Sequence, residues 1–464
     1  MVLSPAEAQR EQSAMALLCL LAAFVLGHAL QLSNGTLNPQ ALGWLTLALG
    51  LTAVAMAGPW ATRLQPYARR ALLPCATLAF LHQAYAYTQL LPGSYLQLRS
   101  YVQLAPLYAG LMAAALLVGA GLGEGSWLGR LRVPALLALH FALGVWLLHA
   151  SPNPYIDVHV FQREASKALL SGSNPYAMTF PDIYGGSSPF YGPGLSVGGR
   201  LQFGFPYMPL SLLLALPGQL LGGDHRYAQL AAIALSGGLM AYARPGRLGA
   251  AVAALFLFTP RGLFVLEQAW TEPFVVLGLA AVAFCACRFP RALPYVLGLF
   301  LASKQYLVLV LPLVLLLLPQ PFRWRSAWAL LWRAGATALA VTLPLVLWDL
   351  GAFLHSAVTL QIHQPFRADA LSYLAWWASR GNAPPGTGLA FLLVLPALGL
   401  ALWRAPRSGA GFALGVALVL GLFFAFNKQA FANYYFFVLG ALCVAAAAAG
   451  EPHSTESAPP VDAA

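Results

Sequence analysis

Hydrophobic stretches long enough to cross a lipid bilayer recur along almost the whole chain. A membrane-spanning helix needs about 20 mainly apolar residues, whereas the strands of a membrane barrel alternate apolar and polar positions. The stretches here are continuous, so the pattern predicts an all-α polytopic membrane protein with about 14 transmembrane or half-transmembrane helices. The predicted helices occupy residues 14–32, 41–61, 71–91, 102–122, 131–150, 226–243, 248–260, 273–288, 292–303, 306–318, 326–348, 387–403, 409–426 and 431–449.

The longest polar interruption, residues 151–209, follows the fifth predicted span and is rich in glycine, proline and tyrosine. Asp157 comes directly after that span, and an amphipathic segment predicted to be helical runs from Val158 to Leu170. We therefore expect a catalytic outer loop with interfacial helices. The predicted organisation is a five-helix bundle at 1–150, this loop at 151–225, a second bundle at 226–450 with outer loops at 261–272 and 349–388, and a disordered tail at 451–464.

Composition supports a membrane protein, because 59% of the 464 residues are hydrophobic and only 8% are charged. The net charge of +11 does not indicate nucleic-acid binding, since the arginines stand singly or in pairs at predicted helix ends and form no basic face. All five cysteines fall in apolar segments, and the spacing of Cys285 and Cys287 is not that of a zinc or redox site.

Arginines also predict the orientation, because cytoplasmic connections are enriched in lysine and arginine. They follow the second and fourth spans, which predicts a cytoplasmic N-terminus and an outer Asp157. The run from Tyr207 to Leu221 is short and proline-rich, so we expect it to lie along the outer interface. Both termini are then cytoplasmic, and the later pairs all fall inside: Arg244 with Arg247, Arg288 with Arg291, Arg323 with Arg325, and Arg404 with Arg407.

Cations on the outer side run against this bias and need another explanation, such as a bound anion. Lys304 interrupts nearly continuous apolar sequence, and we expect two half-length helices to meet at residues 303–306. The alternative is a lysine that snorkels to the interface. Lys428 has a similar context, with capping and interface anchoring as the alternative. Arg261 and Arg367 complete the candidate phosphate-binding residues.

Acidic residues and histidines near the predicted outer boundary leave several interpretations open. Asp157 can cap the helix that follows it, and a helix N-terminus can also keep its carboxylate ionised as a base. Glu267 and Glu272 are compatible with sugar binding, metal binding or a helix end, and His363 with a binding or a structural role. Asp157 and His159 form at best half of a metal motif. We therefore assign no metal ligand and require no cofactor, while a divalent metal stays possible.

Five features follow one another in a recognisable order along the chain. They are Asp157 after a span, an amphipathic helix, Leu-Ser-Gly-Ser-Asn-Pro-Tyr at 170–176, Tyr-Met-Pro-Leu at 207–210, and Lys304 after a short span. This order resembles the GT-C superfamily of integral-membrane glycosyltransferases, in particular the bacterial polyprenol-phosphate-mannose-dependent α-mannosyltransferases. The resemblance covers roughly residues 150–320. The chain departs from the family in having five predicted spans before the acidic loop, where members commonly have one, and in lacking a clear Asp-x-Asp motif.

The resemblance implies a hexosyltransferase with Asp157 as catalytic base. It would transfer mannose or another hexose, with inversion, from a polyprenyl-phosphate donor to a lipid, glycan or protein acceptor at the outer face of the inner (plasma) membrane. The expected partners are this donor, the acceptor and membrane lipids, and no nucleic acid. Candidate substrate-binding residues are His159, Asn174, Tyr176, Tyr207, Glu267, Glu272, Gln305 and His363.

Two other classes of protein remain open on the sequence alone. A transporter or flippase for a lipid-linked saccharide or another anion would use the same outer cations, but it predicts two related halves with midplane polar groups. No internal repeat is visible in the sequence. A noncatalytic subunit of an envelope complex would tolerate the loss of Asp157.

Overall fold

The computed structural model describes residues 5–449 apart from 57, 99, 120–125, 187, 319–320, 385 and 387. This part of the chain is mainly helical. Its α-helices are α1 Pro5–Ser33, α2 Pro39–Met56, α3 Gly58–Ala86, α4 Ala105–Gly119, α5 Trp127–Ala150, α6 Asp157–Leu170, α7 Pro209–Gly222, α8 Arg226–Ala243, α9 Arg247–Leu257, α10 Pro260–Glu267, α11 Glu272–Arg288, α12 Leu293–Leu301, α13 Trp324–Val346, α14 Leu350–Phe353, α15 Leu360–His363, α16 Tyr373–Ser379, α17 Gly388–Arg404, α18 Gly409–Ala425 and α19 Ala432–Ala449. A 3₁₀ helix covers Gln305–Leu317, and a π-helical turn covers Leu354–Thr359.

Five of the described helices are long and apolar enough to cross a membrane: Gln12–Ser33, Pro39–Met56, Gly129–Ala150, Trp324–Val346 and Ala432–Ala449. A sixth span results if Arg247–Leu257 and Arg261–Glu267, which are bent by 51°, count as one broken helix. These helices confirm the prediction of an all-α chain with segments of membrane-spanning length. The larger number of crossings and their orientation stay predictions. The predicted tail at 451–464 lies outside the described residues.

The helices before and after the polar loop pack into one core. Helix α1 contacts α2, α3 and α19, and one hydrophobic cluster includes Leu26 of α1 and Val438 of α19. A small residue also brings α19 close to α11, since a Cβ at Gly440 would lie 2.9 Å from the side chain of Val276 in α11. The predicted bundles at 1–150 and 226–450 therefore share a core.

The polar loop folds into a second, smaller unit between α5 and α8. Helix α6 is followed by a three-stranded antiparallel sheet of order β1-β3-β2, with strands at Phe180–Pro181, Ser196–Val197 and Arg200–Leu201. The central strand pairs Leu201 with Phe180 on one side and with Ser196 on the other. A separate hydrophobic cluster, with Phe161 of α6 among its members, holds this unit together.

Helix α6 begins one residue earlier than the sequence predicts. Asp157 is its first residue, and Ile156 occupies the N-cap position without a side-chain hydrogen bond. The interpretation of Asp157 as the N-cap residue is therefore corrected. Its carboxylate still interacts with the helix terminus, because Oδ1 accepts a hydrogen bond from the backbone N–H of Val158 at 2.7 Å.

The predicted helix break at Lys304 is confirmed. Helix α12 ends at Leu301, and the 3₁₀ helix starts at Gln305. Between them Lys304 has extended backbone angles, φ −154° and ψ 146°. The break leaves backbone groups outside a helical ladder, which a membrane protein tolerates where the segment is buried in protein or lines a cavity.

Candidate functional site

A cavity of about 440 Å³ lies where the polar loop meets the ends of the surrounding helices. Segments from distant parts of the chain form its wall, so its composition depends on tertiary structure. Tyrosines are prominent in the lining, and charged groups stand among them. The side chains that matter for its chemistry are Asp157, Tyr184, Tyr191, Tyr207, Lys304, Arg367, Asp369 and Tyr434.

The Asp157 carboxylate is held in one orientation by two hydrogen bonds. Oδ2 accepts from the Tyr191 hydroxyl at 2.7 Å, while Oδ1 accepts from Val158 N–H. Burial raises the pKa of Asp157, although these hydrogen bonds and the positive charge of Arg367 act in the opposite direction. A carboxylate whose pKa is raised in a cavity is a stronger proton acceptor than one in water.

Lys304 brings a buried positive charge to the wall of the same cavity. Its Nζ lies 2.9 Å from Glu272 Oε1 and donates to the Thr271 hydroxyl. Nζ also lies 4.4 Å from the centroid of the Tyr207 ring. The carboxylate oxygens of Glu272 make no well-aligned hydrogen bond within the described residues. The contact with Lys304 is thus a charge pair, and the lysine is the only counter-charge that the described structure gives to Glu272.

Arg367 is the second cation at the cavity, and its position is closely fixed. Its guanidinium carbon lies 4.3 Å from the Phe190 ring centroid and 4.7 Å from that of Phe431. Two nitrogens of the group bond the carboxylate of Asp369 at 2.8 and 2.7 Å. Stacking and a bidentate ion pair orient an arginine well for recognition of an oxyanion.

The other two predicted phosphate-binding residues do not line the cavity. Arg261 is buried and donates to Gln31 Oε1, Asn34 Oδ1 and the carbonyl of Leu91, so it braces the N-terminal helices. Lys428 Nζ donates to the carbonyls of Ile362 and Gln364, and thereby supports the segment that contains Arg367. Both side chains thus have structural partners within the described residues, and their binding of phosphate stays a prediction.

Among the predicted substrate-binding residues, Tyr207 lines the cavity and three others support the backbone around it. Tyr176 is buried, and its hydroxyl donates to the carbonyl of Tyr207 at 2.8 Å. Asn174 Oδ1 accepts from the N–H of Tyr176, and Gln305 donates to the carbonyl of Pro206. These contacts place Asn174, Tyr176 and Gln305 in support of the cavity wall, and their direct binding of substrate stays a prediction.

The remaining four residues do not line the cavity. Glu267 accepts the backbone N–H groups of Ser94 and Tyr95 at 2.6 and 2.9 Å, which fixes the loop before α4. Glu272 is fully buried behind Lys304, and the imidazole of the exposed His363 hydrogen-bonds the carbonyl of Thr359. His159 is buried on the far side of α6 beside His225. Their contact with substrate stays a prediction.

Sequence reasoning missed the contribution of the N-terminal helices to the cavity. Asn34 and Thr36, in the turn between α1 and α2, and Ser94 and Tyr95 line one side. The turn is attached to the far end of the chain, since the N–H of Leu37 donates to the carbonyl of Asp369 at 2.8 Å. No local pattern signals this pairing.

The sequence analysis also did not single out Tyr184 and Tyr191. Both lie in the tyrosine-rich part of the polar loop, and that composition was the only feature of the sequence that pointed to them. The hydroxyl of Tyr184 accepts the backbone N–H of Asp157 at 3.1 Å, and Tyr191 bonds the carboxylate. The two side chains thus orient the candidate base from opposite ends.

Comparisons with protein-family models, with curated proteins and with solved structures gave no match to this chain.

Proposed function

We propose that this protein is an integral-membrane glycosyltransferase of the GT-C type, which transfers a hexose from a polyprenyl-phosphate donor to a hydroxyl acceptor. The observation that carries the proposal is the meeting of one oriented carboxylate and two cations at a single cavity, Asp157 with Lys304 and Arg367. Glycosyl transfer from a lipid phosphate requires this combination: a base for the acceptor and positive charge for the departing phosphate.

In the proposed reaction the acceptor hydroxyl lies against Asp157. Its oxygen attacks the anomeric carbon of the donor sugar while the bond from that carbon to the phosphate oxygen breaks. The hydroxyl proton passes to the Asp157 carboxylate, and the bonding electron pair leaves with the phosphate. Lys304 and Arg367 stabilise the negative charge that grows on this phosphate. Attack from the side opposite the leaving group inverts the configuration of the anomeric carbon.

The aromatic lining is suited to a sugar, because the apolar faces of a hexose ring pack on aromatic rings while its hydroxyls need polar partners. Tyr184, Tyr191 and Tyr434 supply both kinds of surface at this cavity. A lipid-linked donor fits the apolar helices of the chain, since its tail would remain in the bilayer. On this proposal the chain has about 14 transmembrane or half-transmembrane helices, with the cavity at the outer face and both termini in the cytoplasm.

The proposal is tested by comparing glycolipids and glycans from a deletion strain with those from a complemented strain by mass spectrometry. We expect one or more products to lose a mass equal to one hexose on deletion and to regain it on complementation. Membranes that contain the protein should also consume a labelled polyprenyl-phosphate hexose. Identical product profiles, together with no donor consumption, would contradict the proposal.

A further inference from the structure

A buried cluster of two histidines and one aspartate lies behind α6, outside the cavity. His159 comes from α6, and Asp224 and His225 come from the connection between α7 and α8. One potential ligand atom from each residue lies within 4.8 Å of the other two. His159 is 5% exposed and His225 is fully buried, with their ring centroids 5.0 Å apart.

Three of the four histidine nitrogens of this cluster are buried and lack hydrogen-bond partners within the described part of the chain. They are Nδ1 of His159 and both ring nitrogens of His225. The nearest approach to the carboxylate, from His225 Nδ1 to Asp224 Oδ1, is 4.0 Å and too long for a hydrogen bond. An unsatisfied buried polar group is destabilising and rare in folded proteins, so three of them in one cluster need an explanation.

We propose that His159, Asp224 and His225 bind a divalent transition-metal ion of the zinc class. Imidazole nitrogen and carboxylate oxygen are ligands that this ion prefers, and one water would complete four-fold coordination. Metal–ligand bonds of about 2.0–2.2 Å require the three ligand atoms to move closer to one another by a distance on the order of 1 Å. The cluster therefore has the right chemistry and nearly the right spacing before any rearrangement.

Asp224 supplies the negative charge of the cluster, because its carboxylate is the one acidic group among the three candidate ligands. The two imidazoles contribute buried ring nitrogens that have no hydrogen-bond partner within the described residues.

Arg226 does not compete for the histidines. Its guanidinium holds the Asp224 carboxylate with contacts of 2.6 to 3.1 Å and donates its remaining N–H groups to the carbonyls of Ser151, Pro152 and Glu267. A group that hydrogen-bonds a ligating carboxylate fixes its orientation, as outer-shell partners do in known metal sites.

The position of the cluster indicates what the metal would do. His159 lies two residues after Asp157 on α6, and residues two apart on a helix point in nearly opposite directions. The metal would thus tie the start of α6 to the start of α8 from behind and leave the cavity free. This inference concerns metal binding and stability, and it does not depend on glycosyl transfer.

The test uses the full-length protein, purified in detergent, stripped with a chelator and titrated with Co²⁺ and then Zn²⁺. We expect about one equivalent of Co²⁺ per chain, with visible absorption typical of nitrogen and oxygen ligands, displacement by Zn²⁺ and a higher melting temperature with metal. His159→Ala and His225→Ala should each lose this binding, whereas His363→Ala, which removes an exposed histidine outside the cluster, should keep it.

X-ray absorption at the zinc edge of the wild-type protein decides the question even if the histidine variants fail to fold. Two imidazole ligands in the first coordination shell would support the site. A stripped wild-type protein that binds neither ion and melts at the same temperature with and without Zn²⁺ would overturn it, as would loss of binding in His363→Ala. The cluster would then hold water.

Discussion

Asp157 sits in the cavity with a raised pKa, and that determines how the proposed reaction should depend on pH. A base works only when it is deprotonated, so transfer should be fast above the pKa and fall as the pH drops through it. The ordinary value is 3.8, and burial moves the pKa of Asp157 upward from there. The acidic limb of kcat/KM should therefore lie above the range of an exposed aspartate.

Tyr191→Phe tests which carboxylate this limb reports. The tyrosine hydroxyl stabilises the charged form of Asp157 and lowers its pKa, so its removal should raise the pKa further. A hydrogen bond to a charged group contributes about 1.5–3 kcal/mol, and 1.36 kcal/mol equals one pH unit, so we expect the acidic limb to move upward by about one to two pH units. The measurement is the pH profile of kcat/KM. An acidic limb that stays in place would mean that another group titrates.

The charge pair between Lys304 and Glu272 predicts different effects on stability for removal of one charge and for removal of both. Lys304→Ala leaves the fully buried Glu272 without a counter-charge, and we expect a loss of roughly 3–5 kcal/mol in folding stability. Lys304→Met combined with Glu272→Gln removes both charges and should recover most of this loss. Thermal unfolding in detergent compares the two variants. Equal stability of the single and double variants would show that the pair is not buried as described.

The same double variant separates the charge pair from phosphate binding. If Lys304 holds the donor phosphate, the double variant should lose affinity even though it is stable. We expect it to bind the polyprenyl-phosphate sugar about 10–100-fold more weakly than the wild type, since a charge-assisted contact contributes about 1.5–3 kcal/mol. Glu272→Gln alone keeps the lysine and serves as the matched control. Wild-type donor affinity in the double variant would leave Lys304 with a structural role only.

At the residue scale, sequence reasoning selected three of the four charged groups that line the cavity, Asp157, Lys304 and Arg367, but could not separate them from similar residues elsewhere. Lys304 and Arg261 are both cations in apolar surroundings. They differ in their neighbours, because Arg261 meets Gln31 and Leu91, which are 230 and 170 positions away in the chain. The residues next to Lys304 and Arg261 in the sequence do not indicate such distant partners.

At the scale of elements, the turn between α1 and α2 determines one wall of the cavity. Gly35 has φ +75°, and a Cβ there would lie 2.1 Å from the backbone nitrogen of Ala432 in α19. Gly35→Ala should therefore destabilise the protein by more than about 1–2 kcal/mol and weaken donor binding, because Asn34 and Thr36 would move. The matched control is Gly43→Ala in α2, which has open space around it.

Gly43→Ala should be neutral or stabilising by up to about 1 kcal/mol, since alanine favours a helix. Melting temperatures and donor affinities of the two variants decide the matter. If Gly35→Ala matched Gly43→Ala in both, the close approach of this turn to α19 would be refuted.

The sequence predicted those elements that have a strong local signal. The amphipathic α6 and the break at Lys304 follow from hydrophobic periodicity and from a cation in apolar surroundings. The three-stranded sheet was not predicted, because each strand has two residues and Phe180 pairs with Leu201, twenty-one positions away. The first residue of α6 was predicted as Val158 and is Asp157, a difference of one residue that is the usual uncertainty of a helix boundary.

At the scale of the whole molecule, the orientation of α7 fixes the sidedness of every later segment. If α7 lies along the outer interface, Phe289 at the end of α11 is cytoplasmic and Gly386 before α17 is outside. Both positions are exposed. In a background with Cys75→Ser and Cys287→Ser, an impermeant thiol reagent should label Gly386→Cys in intact cells and Phe289→Cys only after permeabilisation. Labelling of Phe289→Cys in intact cells would mean that α7 crosses the membrane.

The overall class of the protein followed from composition and hydrophobic pattern, but the way its bundles combine did not. Continuous apolar runs predict helices without predicting which of them touch. Helices α1 and α19 lie at opposite ends of the chain and still pack together in one core. The first four helices, α1 to α4, contribute the turn and the loop that line one side of the cavity, a role that the sequence did not indicate.

The most direct test of the proposed chemistry is transfer by Asp157→Asn, measured in membranes with a labelled polyprenyl-phosphate hexose and with donor binding measured separately. We expect turnover to fall by about 10²–10⁴-fold, because the amide cannot accept the acceptor proton. Donor binding should persist, and the melting temperature should not fall, since burial disfavours the charged carboxylate that asparagine replaces. Asp349→Asn, which preserves an N-cap outside the cavity, should keep wild-type turnover. Near wild-type transfer by Asp157→Asn would contradict the account.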